Sequence, residues 1–106
     1  MIRVVLKSKK ELHYAEAIID DKETLVLKGA KINLIESFPQ MSQALILLRR
    51  DRMLVSEDGV LLKDIKFTSP STAAQFVTGR SVNGYIAWRP NDEISLKEYL
   101  GKRREI

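Results

Sequence analysis

The feature that most constrains this chain is the segment 69–79, which carries its own start and stop signals for a helix. Ser69 is a preferred N-cap residue, and Pro70 suits the first helical position because the N–H that it lacks would be unpaired there. Gly79 favours the left-handed conformation that ends many helices. The pattern predicts a helix from about Ser69 to Thr78. Four apolar residues share the spacing of one buried helical face: Ala73, Ala74, Phe76 and Val77.

A predicted turn follows this helix. The dipeptide Asn83-Gly84 favours the positive φ angles of a tight turn, and the segment Tyr85 to Arg89 after it is predicted to be extended. Trp88, the only tryptophan, is interpreted either as a core residue or as a surface on which an exposed base stacks. Phe67 and Phe76 are both expected in the core.

The same part of the chain resembles a known family. The ordered motifs are Phe67, Ser69-Pro70-Ser71, Ala73-Ala74, Gly79-Arg80-Ser81, Asn83-Gly84 and Trp88. Together they resemble the family called domain of unknown function 4357 over about residues 48–100, and Val26-Leu27-Lys28-Gly29 resembles a weaker upstream signature of that family. A similar pattern marks the domain associated with restriction enzymes and adenine methylases, which has been proposed to recognise modified DNA.

The resemblance implies an accessory module. Domains of this family often accompany nuclease domains of the GIY-YIG type, and the chain contains neither of those tripeptides. The wider family usually has a tryptophan directly after Asn-Gly, where this chain has Tyr85. No nucleophile paired with a base and no pair of carboxylates in a shared cleft is visible in the sequence. We therefore expect a non-enzymatic domain without a cofactor or a metal site.

Composition limits the class of protein. A chain of 106 residues with 44% hydrophobic residues is expected to form a single domain. The absence of cysteine excludes disulfides and thiolate metal sites. The longest apolar run, 44–48, is too short to span a bilayer, and the N-terminus lacks a secretory signal pattern, so no membrane association and a cytoplasmic location are expected. The net charge of +4, with arginines clustered at 49–52 and 103–104, favours an anionic partner and simple solubility about equally.

The N-terminal part predicts an antiparallel meander. Alternating residues give three short strands over 1–7, 11–19 and 23–28, separated by polar turns at 8–10 and 20–22. Gly29 is interpreted as a bend after the third strand. His13 is the sole histidine, and alternation places it on the strand face opposite to Leu12 and Tyr14, in an exposed or hydrogen-bonded role.

The remaining elements complete an α+β fold. A middle helix is predicted to begin at Ser37, with Pro39 and Gln40 in its first turn, to run to about Met53 and to lie across the meander. A hairpin over 53–62, the helix from Ser69, an extended segment and a C-terminal helix capped by Ser95 follow. Residues of the middle helix divide into a buried set, Met41, Ala44, Leu45, Leu47 and Leu48, and a solvated set, Gln43, Arg49, Arg50 and Asp51.

The candidate binding residues are hydroxyl, amide and arginine side chains at the ends of the signature helix. A helix start can hold a phosphate or carboxylate, although the commoner role of Ser69 is to cap its own helix while the hydroxyls after it face solvent. Asn pairs with adenine and Arg with guanine, so the segment from Arg80 to Tyr85 is a candidate reader of bases, although turn geometry alone also explains Asn83. The full candidate set is Ser69, Ser71, Thr72, Arg80, Asn83, Tyr85 and Arg89.

Two functions from different classes follow from these patterns. The first is nucleic-acid binding, to DNA or RNA and with modified DNA as one candidate target, through the Ser69 helix start and the Arg80 to Tyr85 turn. The alternative is a protein-interaction or assembly module for a partner enzyme, which would expose an apolar patch around Leu45 to Leu48.

Overall fold

The protein is a mixed α+β domain. The computed structural model describes residues 1–8, 10, 12–37 and 41–104, and their side chains as far as residue 101. The elements in chain order are β1 (Ile2–Lys7), β2 (Tyr14–Ile19), β3 (Thr24–Val26), α1 (Gln43–Arg50), β4 (Ile65–Phe67), α2 (Pro70–Thr78), α3 (Gly84–Ala87) and α4 (Leu96–Arg104).

One antiparallel sheet with strand order β1-β2-β3-β4 forms the base of the fold, which confirms the N-terminal meander. Val4 pairs with Ala17, and Ala17 pairs with Val26, so one cross-strand row of small and β-branched side chains points into the core. The fourth strand continues this row at Ile65. Alternation along the chain therefore produces a sheet with one buried face.

Helix α2 packs on β2, β3 and β4. The residues predicted to begin and to end it do so in the structure. Ser69 Oγ accepts the Thr72 N–H at 3.1 Å, and Gly79 ends the helix with a φ of 79°. Phe76 packs on Phe67 with ring centroids 5.2 Å apart, so both are core residues as predicted. The two alanines on the buried face, Ala73 and Ala74, are fully buried and let the helix come close to the sheet.

The middle helix differs from its prediction in length and position. It begins after Ser42, whose Oγ accepts the Leu45 N–H, and residues 38–40 of the predicted start lie outside the described part of the chain. It packs against α2, whereas the prediction laid it across the meander. Ala44 and Leu47, predicted to be buried, are exposed, because the face toward α2 is formed by Leu45, Ile46 and Arg49.

Arg49 is the clearest correction, because the sequence predicted it to be solvated and its side chain is only 3% exposed. Its Nε donates to the carbonyl oxygen of Phe76 at 2.9 Å, its Nη1 lies 3.2 Å from Glu36 Oε2, and its Nη2 donates to the carbonyl oxygen of Asn33. Burial lowers the pKa of the guanidinium below its usual range, and Glu36 opposes that shift. Arg49 thus ties α1 to the end of α2 and to the 33–36 segment.

The predicted hairpin over 53–62 is present in reduced form. Val55 and Leu61 form an isolated antiparallel bridge, and Ser56 N–H donates to the Val60 carbonyl at 2.9 Å. Gly59 adopts a φ of 87° at the turn, as a tight reversal requires. The predicted C-terminal helix is also confirmed, with Ser95 Oγ accepting the Glu98 N–H at its start.

The segment after Asn83 was predicted wrongly. Gly84 has no positive φ, and residues 84–87 form the single-turn helix α3, with Asn83 Oδ1 capping the Tyr85 N–H at 3.0 Å. A Cβ at Gly84 would lie 2.2 Å from the carbonyl carbon of Pro70 and 2.4 Å from the Ser71 nitrogen. Glycine is therefore needed here for close approach between two backbones rather than for turn geometry.

Candidate nucleic-acid interface

The hydroxyls at the start of α2 all have partners within the protein. Ser69 Oγ caps the helix and also lies 2.9 Å from Thr72 Oγ1, while Ser71 Oγ accepts the Gly84 N–H at 2.9 Å. These bonds explain the three residues as local structure. Their predicted contact with an anion stays a prediction.

The same helix start is covered by α3 and the residue after it. Gly84 packs on the backbone of Pro70, and the indole Nε1 of Trp88 donates to the Pro70 carbonyl at 2.9 Å. Trp88 is fully buried, so of its two interpretations the core residue is the correct one. A large aromatic residue with a satisfied N–H anchors this corner of the core.

Asn83 and Tyr85 lie together at this end of α2. They line a shallow cavity of about 460 Å³ with Lys97 and Leu100 from α4. Tyr85 is 41% exposed, and the Asn83 side-chain oxygen is occupied by its own helix cap, which leaves its amide nitrogen toward solvent. The structure therefore brings Asn83 and Tyr85 close to Ser71, through the bond from Gly84 to Ser71.

Arg80 lies at the opposite end of α2, which is nine residues or about 14 Å long. It lines a second cavity, of about 490 Å³, with Lys7, Lys10 and His13. We call this the His13 cavity. Among the described residues, neither Arg80 nor Lys10 forms an ion pair. The candidate residues therefore divide into two groups at the two ends of α2.

Arg89 lies beside β1, on the same side of the fold as Lys7. Its backbone exchanges hydrogen bonds with Val5, and its guanidinium donates to the Asp92 carbonyl at 3.2 Å. Lys7 Nζ lies 3.3 Å from the carboxylate of the same Asp92. Arg80, Lys10 and Lys7 therefore line one cavity, and Lys7 and Arg89 both contact Asp92. We call these four cations the basic strip: Arg80, Lys10, Lys7 and Arg89.

His13 was missed as a site residue. It was predicted to be exposed or hydrogen-bonded, yet it is only 6% exposed and its Nδ1 has no hydrogen-bond partner among the described residues. His13 does lie on the face opposite to Leu12 and Tyr14, as alternation predicted, but that face is the buried one that β2 continues at Ala15. Burial, and then the positive charge of Arg80, lower the pKa of the imidazole below its ordinary value of 6.5. The sequence signal that could have pointed to it is that the only histidine follows Lys9 and Lys10 closely.

Within 1–8, 10, 12–37 and 41–104, no group of three or more His, Asp or Glu side chains is arranged to hold a metal ion. None of the helices in that part of the chain combines the length and the apolar character needed to cross a bilayer.

The fold and these surfaces define a small α+β domain whose signature helix is enclosed between a meander and the α3 turn. The chain belongs to the family described as Domain of unknown function (DUF4357), whose family model matches residues 5–100. The match extends the resemblance from the signature region to the N-terminal strands. Comparison with curated proteins and with solved structures gave no match.

Proposed function

We propose that this domain is a non-enzymatic accessory module that binds nucleic acid along the basic strip. The observation that carries the proposal is the grouping of four cations, since Arg80, Lys10 and Lys7 line one cavity and Lys7 and Arg89 both contact Asp92. Clustered arginine and lysine side chains neutralise neighbouring phosphates, and this electrostatic term supplies most of non-specific binding.

Base contacts are assigned to the other end of α2. The Asn83 amide and the exposed Tyr85 ring border the shallow cavity of about 460 Å³ beside α4, where an amide can pair with a base edge and a ring can stack on a base. In this arrangement the strip positions the strand and the Asn83 and Tyr85 pair reads it. Modified DNA is one target class to be tested.

The experiment is an anisotropy titration with single- and double-stranded DNA and RNA at about 50 and 200 mM salt. Arg80→Glu and Arg89→Glu should each weaken binding and reduce the salt slope by about 1, because each arginine neutralises about one phosphate.

Lys63→Glu is the matched control. It makes the same change in charge at an exposed position beside β4, at the opposite edge of the sheet from β1. If Lys63→Glu weakens binding as much as Arg80→Glu, net charge rather than the strip governs affinity, and the proposal is wrong. The same holds if both arginine variants bind like the wild type.

A second candidate function is a protein-interaction module that assembles with a partner enzyme, such as a nuclease or a restriction-modification component. It is favoured by four strongly exposed apolar side chains within 34–53, although Leu45 and Ile46 of the predicted patch are buried. The four are Leu34, Ile35, Leu47 and Met53, with exposures of 60%, 68%, 64% and 73%.

This alternative predicts association without nucleic acid. Sedimentation of the pure domain over a range of concentrations should show self-association, or co-sedimentation with a purified partner enzyme, and Leu47→Asp should abolish it. A monomer at all concentrations that binds salt-sensitively to DNA or RNA would favour the first function.

A further inference from the structure

The His13 cavity has the dimensions of a small-molecule site. Its volume of about 490 Å³ lies within the range of pockets that enclose ligands in proteins. It is formed between the end of β1, the segment before β2 and the residues that follow α2. The cavity therefore depends on tertiary packing and lies apart from the Asn83 and Tyr85 surface.

One wall of the cavity is cationic. Lys7, Lys10 and Arg80 contribute three positive charges, and no acidic residue is among the described residues that line it. Asp92 lies outside the lining and pairs with Lys7. Arg80 and Lys10 have no ion pair with any described residue, so their charges are available to a ligand. The wall selects an anion.

A buried polar group in this wall lacks a protein partner. His13 is 94% buried, from an exposure of 6%, and its Nδ1 is unpaired among the described residues. Nearly all buried polar side-chain atoms in native proteins have a hydrogen-bond partner. An unpaired atom of a residue that lines a cavity therefore indicates that a ligand supplies the missing partner. This observation is independent of the surface charge.

A second donor lies on the same wall. Asn33 uses its side-chain oxygen to accept the Ile35 N–H at 3.0 Å, which leaves its amide nitrogen as a donor. With Arg80 and His13, three residues with nitrogen-bearing side chains from three separate segments line one cavity. Such converging donors suit the oxygens of a compact anion.

Other residues that line the cavity are apolar, and we call them the apolar wall. Leu6 and Leu12 come from the β1 end, and Val82 and Ala87 come from the segment around α3. A free inorganic anion would leave this wall in contact with water, whereas an anion attached to an organic group would cover it. The lining therefore fits an amphipathic ligand with one charged end.

We propose that the His13 cavity binds a phosphate monoester, with the phosphoryl group at His13, Arg80 and Asn33, the charge of Lys10 adding to the attraction, and the organic part against Leu6 and Val82. Two sources supply this chemistry: a strand end bearing a terminal phosphate, and a free nucleotide. The strand-end form rests on the proposed nucleic-acid function and adds a site to it.

A monoester suits the cavity better than a phosphodiester within a strand. It carries between one and two negative charges near neutral pH and presents three terminal oxygens, which match three converging donors. Its single organic substituent can extend out of the cavity opening, whereas a phosphodiester has two substituents that would both have to extend out of the cavity. Binding also places an anion beside His13, which counteracts the effects of burial and of Arg80 on its pKa.

The test uses one oligonucleotide in three forms, with a 5′-phosphate, with a 3′-phosphate and with hydroxyls at both ends. A nucleoside monophosphate and inorganic phosphate complete the set. Affinity is measured by anisotropy or calorimetry, and the ring signals of the sole histidine, His13, are followed by NMR.

We expect at least one phosphorylated form to bind about tenfold tighter than the hydroxyl form, the gain from one or two charge-assisted hydrogen bonds. Only phosphate monoesters should move the His13 signals.

The variants separate the site from general charge effects. Arg80→Gln, at an exposed position, and His13→Gln should both remove the preference for the phosphorylated strand, and Lys63→Gln should retain it. Arg80→Gln keeps the test valid even if His13→Gln fails to fold.

The outcomes distinguish this inference from the proposed function. Equal binding of all three oligonucleotides, with unmoved His13 signals, overturns the phosphate site and leaves nucleic-acid binding intact. Binding of the nucleoside monophosphate at His13 without binding of any oligonucleotide supports the site with a free nucleotide as its ligand and overturns the proposed function.

Discussion

The indole Nε1 of Trp88 donates a 2.9 Å hydrogen bond to the carbonyl oxygen of Pro70, the first residue of α2. Both residues are buried, and Trp88 is fully so. The bond links the end of α3 to the start of α2 across the close contact at Gly84. The contact between Pro70, Gly84 and Trp88 joins the two ends of the family signature. These residues therefore have a structural role in the fold.

Trp88→Phe tests that bond. Phenylalanine lacks the N–H that bonds to the Pro70 carbonyl and fills less of the buried space, so we expect the free energy of unfolding to fall by about 1–3 kcal/mol. Urea denaturation followed by circular dichroism measures it. Tyr85→Phe is the matched control, because the Tyr85 hydroxyl bonds to no described residue, and it should change stability by less than about 0.5 kcal/mol. Equal effects of the two substitutions would contradict the assigned role.

Gly84→Ala tests the contact between the two backbones. Its Cβ would lie 2.2 Å from the Pro70 carbonyl carbon, so α3 must move away, and we expect a loss of about 1–3 kcal/mol or more. Gly101→Ala in α4 is the control, since a Cβ there meets nothing within 4 Å and alanine favours a helix by about 1 kcal/mol. Thermal unfolding should shift the two variants in opposite directions. A Gly84→Ala protein as stable as the wild type would refute the contact.

Arg49→Met tests the buried guanidinium. Methionine preserves much of the packing but removes the partner of Glu36 and of two backbone carbonyls, so we expect a loss of about 3–5 kcal/mol. Arg50→Met removes an ion pair to the same Glu36 from a side chain that is 58% exposed, and about 1 kcal/mol or less is expected. Chemical denaturation compares the two. A loss in Arg49→Met no larger than in Arg50→Met would show that burial of the charge is unimportant.

The stability of the protein should depend on pH through His13. Its pKa is lowered in the folded state, so as pH falls the unfolded chain takes up the proton first. The contribution is complete above the ordinary pKa of 6.5 and is lost as pH falls from there through the folded pKa. Burial and the positive charge of Arg80, which lines the same cavity, both disfavour the protonated imidazole.

Urea denaturation at pH 7.5 and 5.5 checks this expectation. The wild type should be less stable at the lower pH, and His13→Asn should show a smaller difference between the two conditions. If the difference is the same in both proteins, His13 does not titrate in this way.

The sequence alone predicted those elements whose formation depends on interactions between residues close together in the chain. Ser69 caps an N–H three residues away, and Gly79 ends the same helix, so the signature helix was predicted to within one residue. Alternation also predicted the meander, because pairing between adjacent strands repeats with the same period as the side chains. The family resemblance rested on the same local motifs and was confirmed over residues 5–100.

Tertiary structure decided the burial of polar groups and the form of the candidate site. Arg49 is buried because acceptors at Phe76 and Asn33, far away in sequence, converge on it, and no periodicity in α1 indicates that. Gly84 is a glycine because the Pro70 backbone comes within contact of it, although Asn-Gly alone predicts a turn. The His13 cavity arises from segments that meet only in the folded chain. Capping and alternation depend on neighbours along the chain, whereas a cavity and a buried charge depend on which distant residues packing brings together.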